Sequence, residues 1–394
     1  MGSTYSVPSK KRISILYFWS FVTLGLTTGL LGPSLPSFAS NTGSTLRQLS
    51  NLFLLSSLGY MLGSFGVGLY VNKVKGHLVL ALSLTFIALF VALLPIIKSL
   101  WLLVAIFFLL GIAQSHLDVA ENMLLIWLHG SQVASYMNSL HFFFGFGTLI
   151  APLLIAQSLR LNNSITGAFW LMAVLMVLLA PFLLRQRSPT EPVLKSDQEQ
   201  IHTQKSSILL VMFLVGMFMG FVGAEVTFGG WVYTYSLDLG MTTVQTAAYL
   251  VAVYWTTFTL ARLLGIVITR WISIRTLMWI DLLGSLLGIC AMLIRPNSVT
   301  LLWLTTFVFG FFIATSFPVG MNLAEKLGVI SAKVTSWFLI AASLTSMISP
   351  WIVGQFFESW SPLIVLWVVL VNLAIAILFY MLISMRIKAL KTAS

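Results

Sequence analysis

The chain has 394 residues, of which 59% are hydrophobic and only 8% are charged. Soluble domains carry about 25% charged residues, so this composition excludes a water-soluble globular protein and predicts a surface that faces lipid. The single cysteine, Cys290, excludes an internal disulfide and a cysteine-rich metal site.

Twelve apolar stretches follow one another along the chain, separated by glycine, proline, asparagine and charge clusters. A bilayer core about 30 Å thick needs about 20 residues of helix, which each stretch supplies. The first stretch follows a basic cluster but is too long for a signal peptide, so we predict a retained helix. The predicted spans are 13–36, 48–71, 78–97, 100–128, 133–158, 164–184, 207–236, 243–269, 276–294, 299–324, 332–357 and 361–385.

One long polar segment, residues 186–206, interrupts this pattern and has the composition of a flexible linker. It predicts an N-terminal six-helix bundle at 1–185, a cytoplasmic linker, and a C-terminal six-helix bundle at 207–394.

The two halves echo each other in sequence. Gly111 and Asn122 in the fourth span correspond to Gly310 and Asn322 in the tenth, and the fifth and eleventh spans each contain a proline, Pro152 and Pro350. Internal repeats of this kind are typical of transporters with a solute site near the bilayer midplane. We predict an all-α membrane protein with twelve helices in two pseudo-symmetric six-helix bundles.

The basic residues are distributed unevenly about these spans. With a cytoplasmic N-terminus, Arg47, Lys98, Arg160 and Arg295 lie outside, Arg262 lies within a span, and the remaining sixteen of the 21 lysines and arginines are cytoplasmic. This asymmetry is the positive-inside rule, and it predicts cytoplasmic termini in a plasma membrane, which we expect to be a bacterial inner membrane. The net charge of +11 therefore reflects topology, and no nucleic-acid partner is predicted.

Several motifs resemble a known family. Gly68, Asn72, Lys73 and Gly76 resemble the G-x-x-x-D-R-x-G-R loop of the major facilitator superfamily, with Asn72 in place of the aspartate. A more particular likeness, to the fucose:proton symporter family and its sodium-dependent glucose transporter-like branch, is carried by Gly59, Tyr60, Gly63, Asp118, Asn122, His141, Gly145, Gly147, Glu225, Gly229, Gly230, Trp231, Tyr233, Tyr235, Tyr254, Trp255, Arg262, Phe317 and Pro318.

The resemblance implies the major facilitator fold and cation-coupled uptake of a sugar or similar solute. It places the acidic residue of a D/E-x-x-x-N motif, here Asp118 with Asn122, in coupling. Fucose-type permeases also carry a carboxylate in the first helix, whereas residues 13–35 contain none, so the substrate cannot be carried over.

Charged residues within a bilayer are costly and usually functional. Asp118, Glu121 and Asn122 are spaced i, i+3 and i+4, which puts them on one helix face. His141 lies at about the same depth in the fifth span, so Asp118, Glu121 and His141 are candidates for binding a proton or cation. Asn122 is a candidate substrate ligand. The alternative is that His141 bonds a backbone carbonyl and Asp118 only ties helices together. His116 is predicted to be structural.

Glu225, in the seventh span, is a candidate cation or substrate ligand. Gly229 and Gly230 follow within a turn and predict a broken helix that exposes backbone groups, as do Gly29 and Gly32 before Pro33 in the first span. The nearby aromatic residues could stack on a sugar or form an interfacial belt, which suits Tyr235 better than Trp231. These aromatic candidates are Trp231, Tyr233 and Tyr235.

The remaining candidates are Asn138 and Asn322, as substrate donors or interhelical contacts, and Tyr254, as a substrate contact or packing residue. Arg262 is expected to snorkel or to form a charge lock with a neighbouring helix, in a gating role. Asp281 and Glu325 are predicted to be gate or loop charges.

The leading functional prediction is a proton- or sodium-coupled symporter for a sugar or similar small polar solute, working by alternating access. The alternative is an exporter of a drug, siderophore or lipid-like molecule, since 29 phenylalanines and 16 methionines could line an adaptable cavity. No enzyme motif is found, so we expect no catalysis and no cofactor beyond H⁺ or Na⁺ as coupling ion. The expected partners are a small-molecule substrate and the lipid bilayer, and the chain is expected to be monomeric.

Overall fold

The computed structural model describes residues 7–68, 70, 73–190 and 208–392. Within these ranges the regular structure is entirely helical, as predicted. The helices are α1 (Val7–Gly29), α2 (Leu31–Thr42), α3 (Leu46–Leu49), α4 (Asn51–Gly68), α5 (Gly76–Leu93), α6 (Leu100–His129), α7 (Val133–Asn162), α8 (Thr166–Val177), α9 (Leu179–Leu184), α10 (Ile208–Asp238), α11 (Val244–Ile268), α12 (Ile274–Ile294), α13 (Val299–Ile313), α14 (Ser316–Lys326), α15 (Ala332–Phe357) and α16 (Ile364–Thr392).

The chain forms two compact units, residues 1–199 and 200–394. The boundary falls in the predicted linker, most of which, like Asn72, lies outside the described residues. Among the described helices, ten are long and apolar enough to cross a bilayer, and the bent α1–α2 pair makes eleven. The second predicted span corresponds to α4, which has 18 residues and so lies near the lower limit for a crossing.

The first predicted span bends by 50° between α1 and α2. Pro33 has no N–H to donate to the carbonyl of Gly29, four residues earlier, so the helical ladder is interrupted there. The sequence prediction of a break near Gly29 and Gly32 is confirmed.

The matching prediction for the seventh span is wrong. α10 continues as one helix of 31 residues through Gly229 and Gly230. Glycine weakens a helix by about 1 kcal/mol, but a broken ladder in lipid leaves unpaired backbone groups that cost several kcal/mol each. Gly229 instead makes room for the neighbouring helix, because a Cβ there would lie 2.9 Å from the ring of Tyr254.

Glycines set the closest helix contacts. A Cβ on Gly59 would overlap the carbonyl of Phe108, and one on Gly111 would lie 2.9 Å from the backbone nitrogen of Tyr60, so α4 and α6 touch through their backbones. Gly310, the echo of Gly111, approaches the carbonyl of Tyr254 in the second unit in the same way. The sequence pattern also predicts packing notches at Gly63 and Gly66. The first is confirmed by its contact with Ser115 and Ile112 of α6. The second is wrong, because no atom of another helix among the described residues lies within 4 Å of the Cβ position of Gly66.

Two glycines of α4 therefore give a matched test. Gly59→Ala should lower the free energy of unfolding by about 1–3 kcal/mol, because the added methyl group must push α6 away. Gly66→Ala should leave stability unchanged or slightly raised, since alanine favours helix. Thermal unfolding of both variants in detergent measures the difference, and equal melting temperatures would contradict the backbone contact.

Candidate functional site

The first polar cluster joins α4 to α6 within the first unit. The Tyr60 hydroxyl donates to Oδ2 of Asp118. The Asn122 amide donates to Oδ1 of Asp118 at 2.7 Å and to its backbone carbonyl at 2.9 Å. Both carboxylate oxygens thus have donors suited to an ionised group. The backbone contact at Gly59 brings Tyr60 within reach of Asp118.

Glu121 lies one turn from Asp118 but contacts a different helix. Its carboxyl oxygens lie 2.6 and 2.7 Å from the hydroxyl of Ser20 in α1, and its side chain is fully buried. Ser20 Oγ also lies 2.9 Å from the carbonyl of Tyr17. The expectation that Asp118, Glu121 and Asn122 present one common face is therefore corrected, because Glu121 turns towards α1 while Asp118 and Asn122 face each other beside α4.

The side chains of Asn138 and His141 in α7 are exposed. His141 packs edge-on against Phe21, with ring centroids 5.8 Å apart. Its role in binding a proton or cation stays a prediction. Nδ1 of His116 lies 2.8 Å from the carbonyl of Ile112, which agrees with a structural role.

Arg262 binds a backbone carbonyl that a proline has left without its helical donor. Pro318 has no N–H, so the carbonyl of Ala314, at the junction of α13 and α14, loses its helical partner. Nε of Arg262 in α11 donates to that carbonyl at 3.2 Å. The guanidinium also stacks on Phe258, 4.3 Å from the ring centroid. Arg262 therefore binds a broken helix rather than snorkelling to the membrane surface.

Glu225 in α10 is half-buried and interacts electrostatically with Arg262. Its backbone carbonyl accepts a hydrogen bond of 3.1 Å from the hydroxyl of Tyr254, which is fully buried. Together, these residues form a second polar cluster, which joins α10, α11 and the α13–α14 junction of the second unit. The gating role of Arg262 stays a prediction.

The aromatic residues of α10 are placed differently from the prediction. Trp231 is fully buried, donates from its indole nitrogen to the carbonyl of Pro350 at 3.0 Å, and stacks on Phe357. Tyr233 and Tyr235 are about as deeply buried, and Tyr235 donates to the carbonyl of Pro296. Neither sugar stacking nor an interfacial belt fits these residues in this conformation, because their rings are covered by protein.

Sequence reasoning missed two polar contacts. Tyr60 was part of the motif but was not singled out as a site residue. Asp281, expected to be a gate or loop charge, is buried in α12 and accepts a 2.6 Å hydrogen bond from Thr315 at the α13–α14 junction. The proline at 318 was the available signal, since a break in a membrane helix needs polar neighbours. Asn322, the echo of Asn122, has an exposed side chain.

The role of Arg262 predicts non-additive substitutions. Arg262→Met should destabilise the protein by about 1–3 kcal/mol, because it leaves the carbonyl of Ala314 unpaired and Glu225 without its countercharge. Adding Glu225→Gln should recover part of this loss. Arg295→Met, at the exposed end of α12, is the control for loss of positive charge. Strictly additive changes in melting temperature would rule out the coupling.

The fold and sequence resemble known transporters. The family model described as Major Facilitator Superfamily matches residues 17–350. Sodium-dependent glucose transporter 1 of Homo sapiens is 28% identical over 370 residues, covering 85% of this chain and 71% of the human protein. The protein of that name from Xenopus laevis is 26% identical over 361 residues, covering 84% and 72%.

Solved structures share the fold at low identity. The crystal structure of the nucleoside transporter NupG matches with a TM-score of 0.72 and 16% identity, covering 96% of this chain and 99% of that one. The crystal structure of a bacterial homologue of the human lysosomal transporter Spinster, inward-facing and unoccupied, matches with a TM-score of 0.73 and 13% identity. The match covers 96% of this chain and 98% of that one. The helical fold, the family match and the sequence relatives agree with one another and with the resemblance seen in the motifs: this chain belongs to the major facilitator superfamily and is a membrane transporter.

Proposed function

We propose that this transporter takes up a sugar or similar small polar solute by proton- or sodium-coupled symport through alternating access. The observation that carries the proposal is the cluster formed by Tyr60 of α4 with Asp118 and Asn122 of the membrane-spanning helix α6. Asp118 precedes the end of α6 by eleven residues, a depth of about 16 Å along the axis. A carboxylate so deep in an apolar helix costs at least about 2.5–3.5 kcal/mol, and such residues are retained for a task.

The hydrogen bonds of Asp118 indicate how the binding of a cation would be coupled to helix movement. The ionised carboxylate uses one donor on each oxygen, Tyr60 on Oδ2 and Asn122 on Oδ1. A protonated Asp118 has its own O–H to donate, so Tyr60 must then accept or turn away. A bound Na⁺ would instead draw on oxygen atoms of the same side chains. Loading the cation therefore changes the contact between α4 and α6, which couples ion binding to helix movement.

The solute proposal rests on the relatives and on accessible amides. The relatives are named as sodium-dependent glucose transporters. Asn138, near the start of α7, and Asn322, near the end of α14, expose their amide groups, which offer a polar solute both donors and acceptors. Glu225 is a further candidate ligand, with Arg262 as its countercharge. We expect a monomer in a bacterial inner membrane, with both termini cytoplasmic.

Substitutions at two neighbouring carboxyl groups of α6 distinguish an effect on cation coupling from an effect on folding. Asp118→Asn should abolish concentrative uptake, because an amide cannot alternate between charged and neutral forms. Glu121→Gln should retain it, because the new amide can still bond Ser20. Both are measured as gradient-driven uptake in proteoliposomes, with melting temperature as the folding control. Unchanged accumulation by Asp118→Asn would remove Asp118 from coupling.

The coupling ion and solute can be tested together. A panel of sugars, siderophores and lipids is added to the purified protein with and without Na⁺, and thermal stability is recorded. Symport predicts that at least one sugar raises the melting temperature, and that Na⁺ or lower pH enhances the effect, because ligand and ion bind the same folded state. Stabilisation by siderophores or lipids alone would favour the exporter.

A further inference from the structure

A lipid-facing groove lies between α5 and α6 in the first unit. It has a volume of about 430 Å³ and is lined almost entirely by apolar side chains. α5 contributes Leu78, Leu82, Phe86 and Phe90 at intervals of four residues, so they form one stripe on the helix. The distance from Leu78 to Phe90 along the helix is twelve residue steps, or about 18 Å. The first three members of the stripe are about half exposed. A groove of this length and composition suits a single acyl chain.

The groove has positive charge at one end. Val74 lines it there, between Lys73 and Lys75, which are both exposed. Lys75 is the N-cap residue of α5, so the positive end of the helix dipole lies at the same place. His116 and Tyr70 also line the groove, with ring centroids 5.9 Å apart.

The second unit has a groove at the corresponding position. It lies along α12 and is closed on one side by Phe312 of α13, with a volume of about 480 Å³. Ile280, Leu283 and Leu287 supply its apolar stripe, and Trp279 and the exposed Arg275 line its first turn. Arg275 is the second residue of α12. Each unit thus has an apolar groove along its third predicted span, which is α5 in the first unit and α12 in the second. In each unit a basic residue lies where that helix begins.

We propose that each groove binds an acyl chain of an anionic phospholipid, with the phosphate held by Lys73 and Lys75 in the first unit and by Arg275 in the second. Apolar side chains alone would accept any lipid tail. The basic residues add an attraction that only a net negative headgroup gains in full. Trp279 suits the headgroup boundary, where its ring has one apolar and one polar environment.

Photolabelling of the full-length protein tests the proposal. The probe is phosphatidylglycerol with a photoactivatable acyl chain, in phosphatidylcholine nanodiscs, and labelled peptides are located by mass spectrometry. Labels are expected on residues 78–90 and 279–287, and unlabelled phosphatidylglycerol should displace the probe better than phosphatidylcholine. The double variant Lys73→Gln, Lys75→Gln should reduce labelling of the first groove about 25-fold, from about five-fold for each lysine, and leave labelling of the second groove unchanged.

Two further variants complete the design. Arg275→Gln should have the reciprocal effect, reducing labelling along α12 alone, and it decides the question if the double lysine variant fails to fold. Lys326→Gln removes an exposed lysine from α14, which lines neither groove, and should change neither label. Equal displacement by both unlabelled lipids, or undiminished labelling in the charge variants, would show ordinary boundary lipid and overturn the proposal.

Discussion

A backbone N–H or carbonyl group that lies in the bilayer and away from water needs a partner within the protein, because lipid offers none. The carbonyl of Ala314 is the clearest case. Pro318 removes its helical donor, and Arg262 reaches across from α11 to replace it. The same junction holds Thr315, which donates to the buried carboxyl group of Asp281. The proline thus accounts for the position of Arg262, and the neighbouring Thr315 supplies the donor for Asp281.

Close helix approach is the second consequence of the apolar solvent. Without a hydrophobic driving force between helices, packing and hydrogen bonds must hold the bundle together. Glycines at 59 and 111 let the backbones of α4 and α6 touch, and the same approach carries Tyr60 to Asp118. The packing that stabilises the first unit therefore also builds its polar cluster, so a change at this contact affects stability and the proposed ion site together.

The two units repeat the fold but only part of the chemistry. Gly111 and Gly310 make equivalent backbone contacts, and Pro152 and Pro350 both lie inside long helices. The asparagine echo diverges, because Asn122 bonds Asp118 whereas Asn322 is exposed. Both units hold a buried carboxyl group that accepts from a hydroxyl, Glu121 from Ser20 and Asp281 from Thr315. They differ in that Asp118 of the first unit accepts from the neutral side chains of Tyr60 and Asn122, whereas Glu225 of the second unit interacts electrostatically with Arg262.

Composition and periodicity were enough to predict the helices, their approximate ends and the repeat, because span length and hydrophobicity are local properties set by bilayer thickness. The motifs also located Asp118, Asn122 and Arg262. Only the tertiary structure showed which side chains they contact. The spacing along α6 predicts Glu121 and Asp118 on one face, but α1 packs so that Ser20 contacts Glu121. The tertiary structure also showed that α10 is continuous at Gly229, where the rings of Tyr254 and Trp255 from α11 occupy the space beside the glycine. It showed as well that Trp231 is buried. Which helix faces a given side chain depends on contacts distant in sequence, and local spacing carries no information about them.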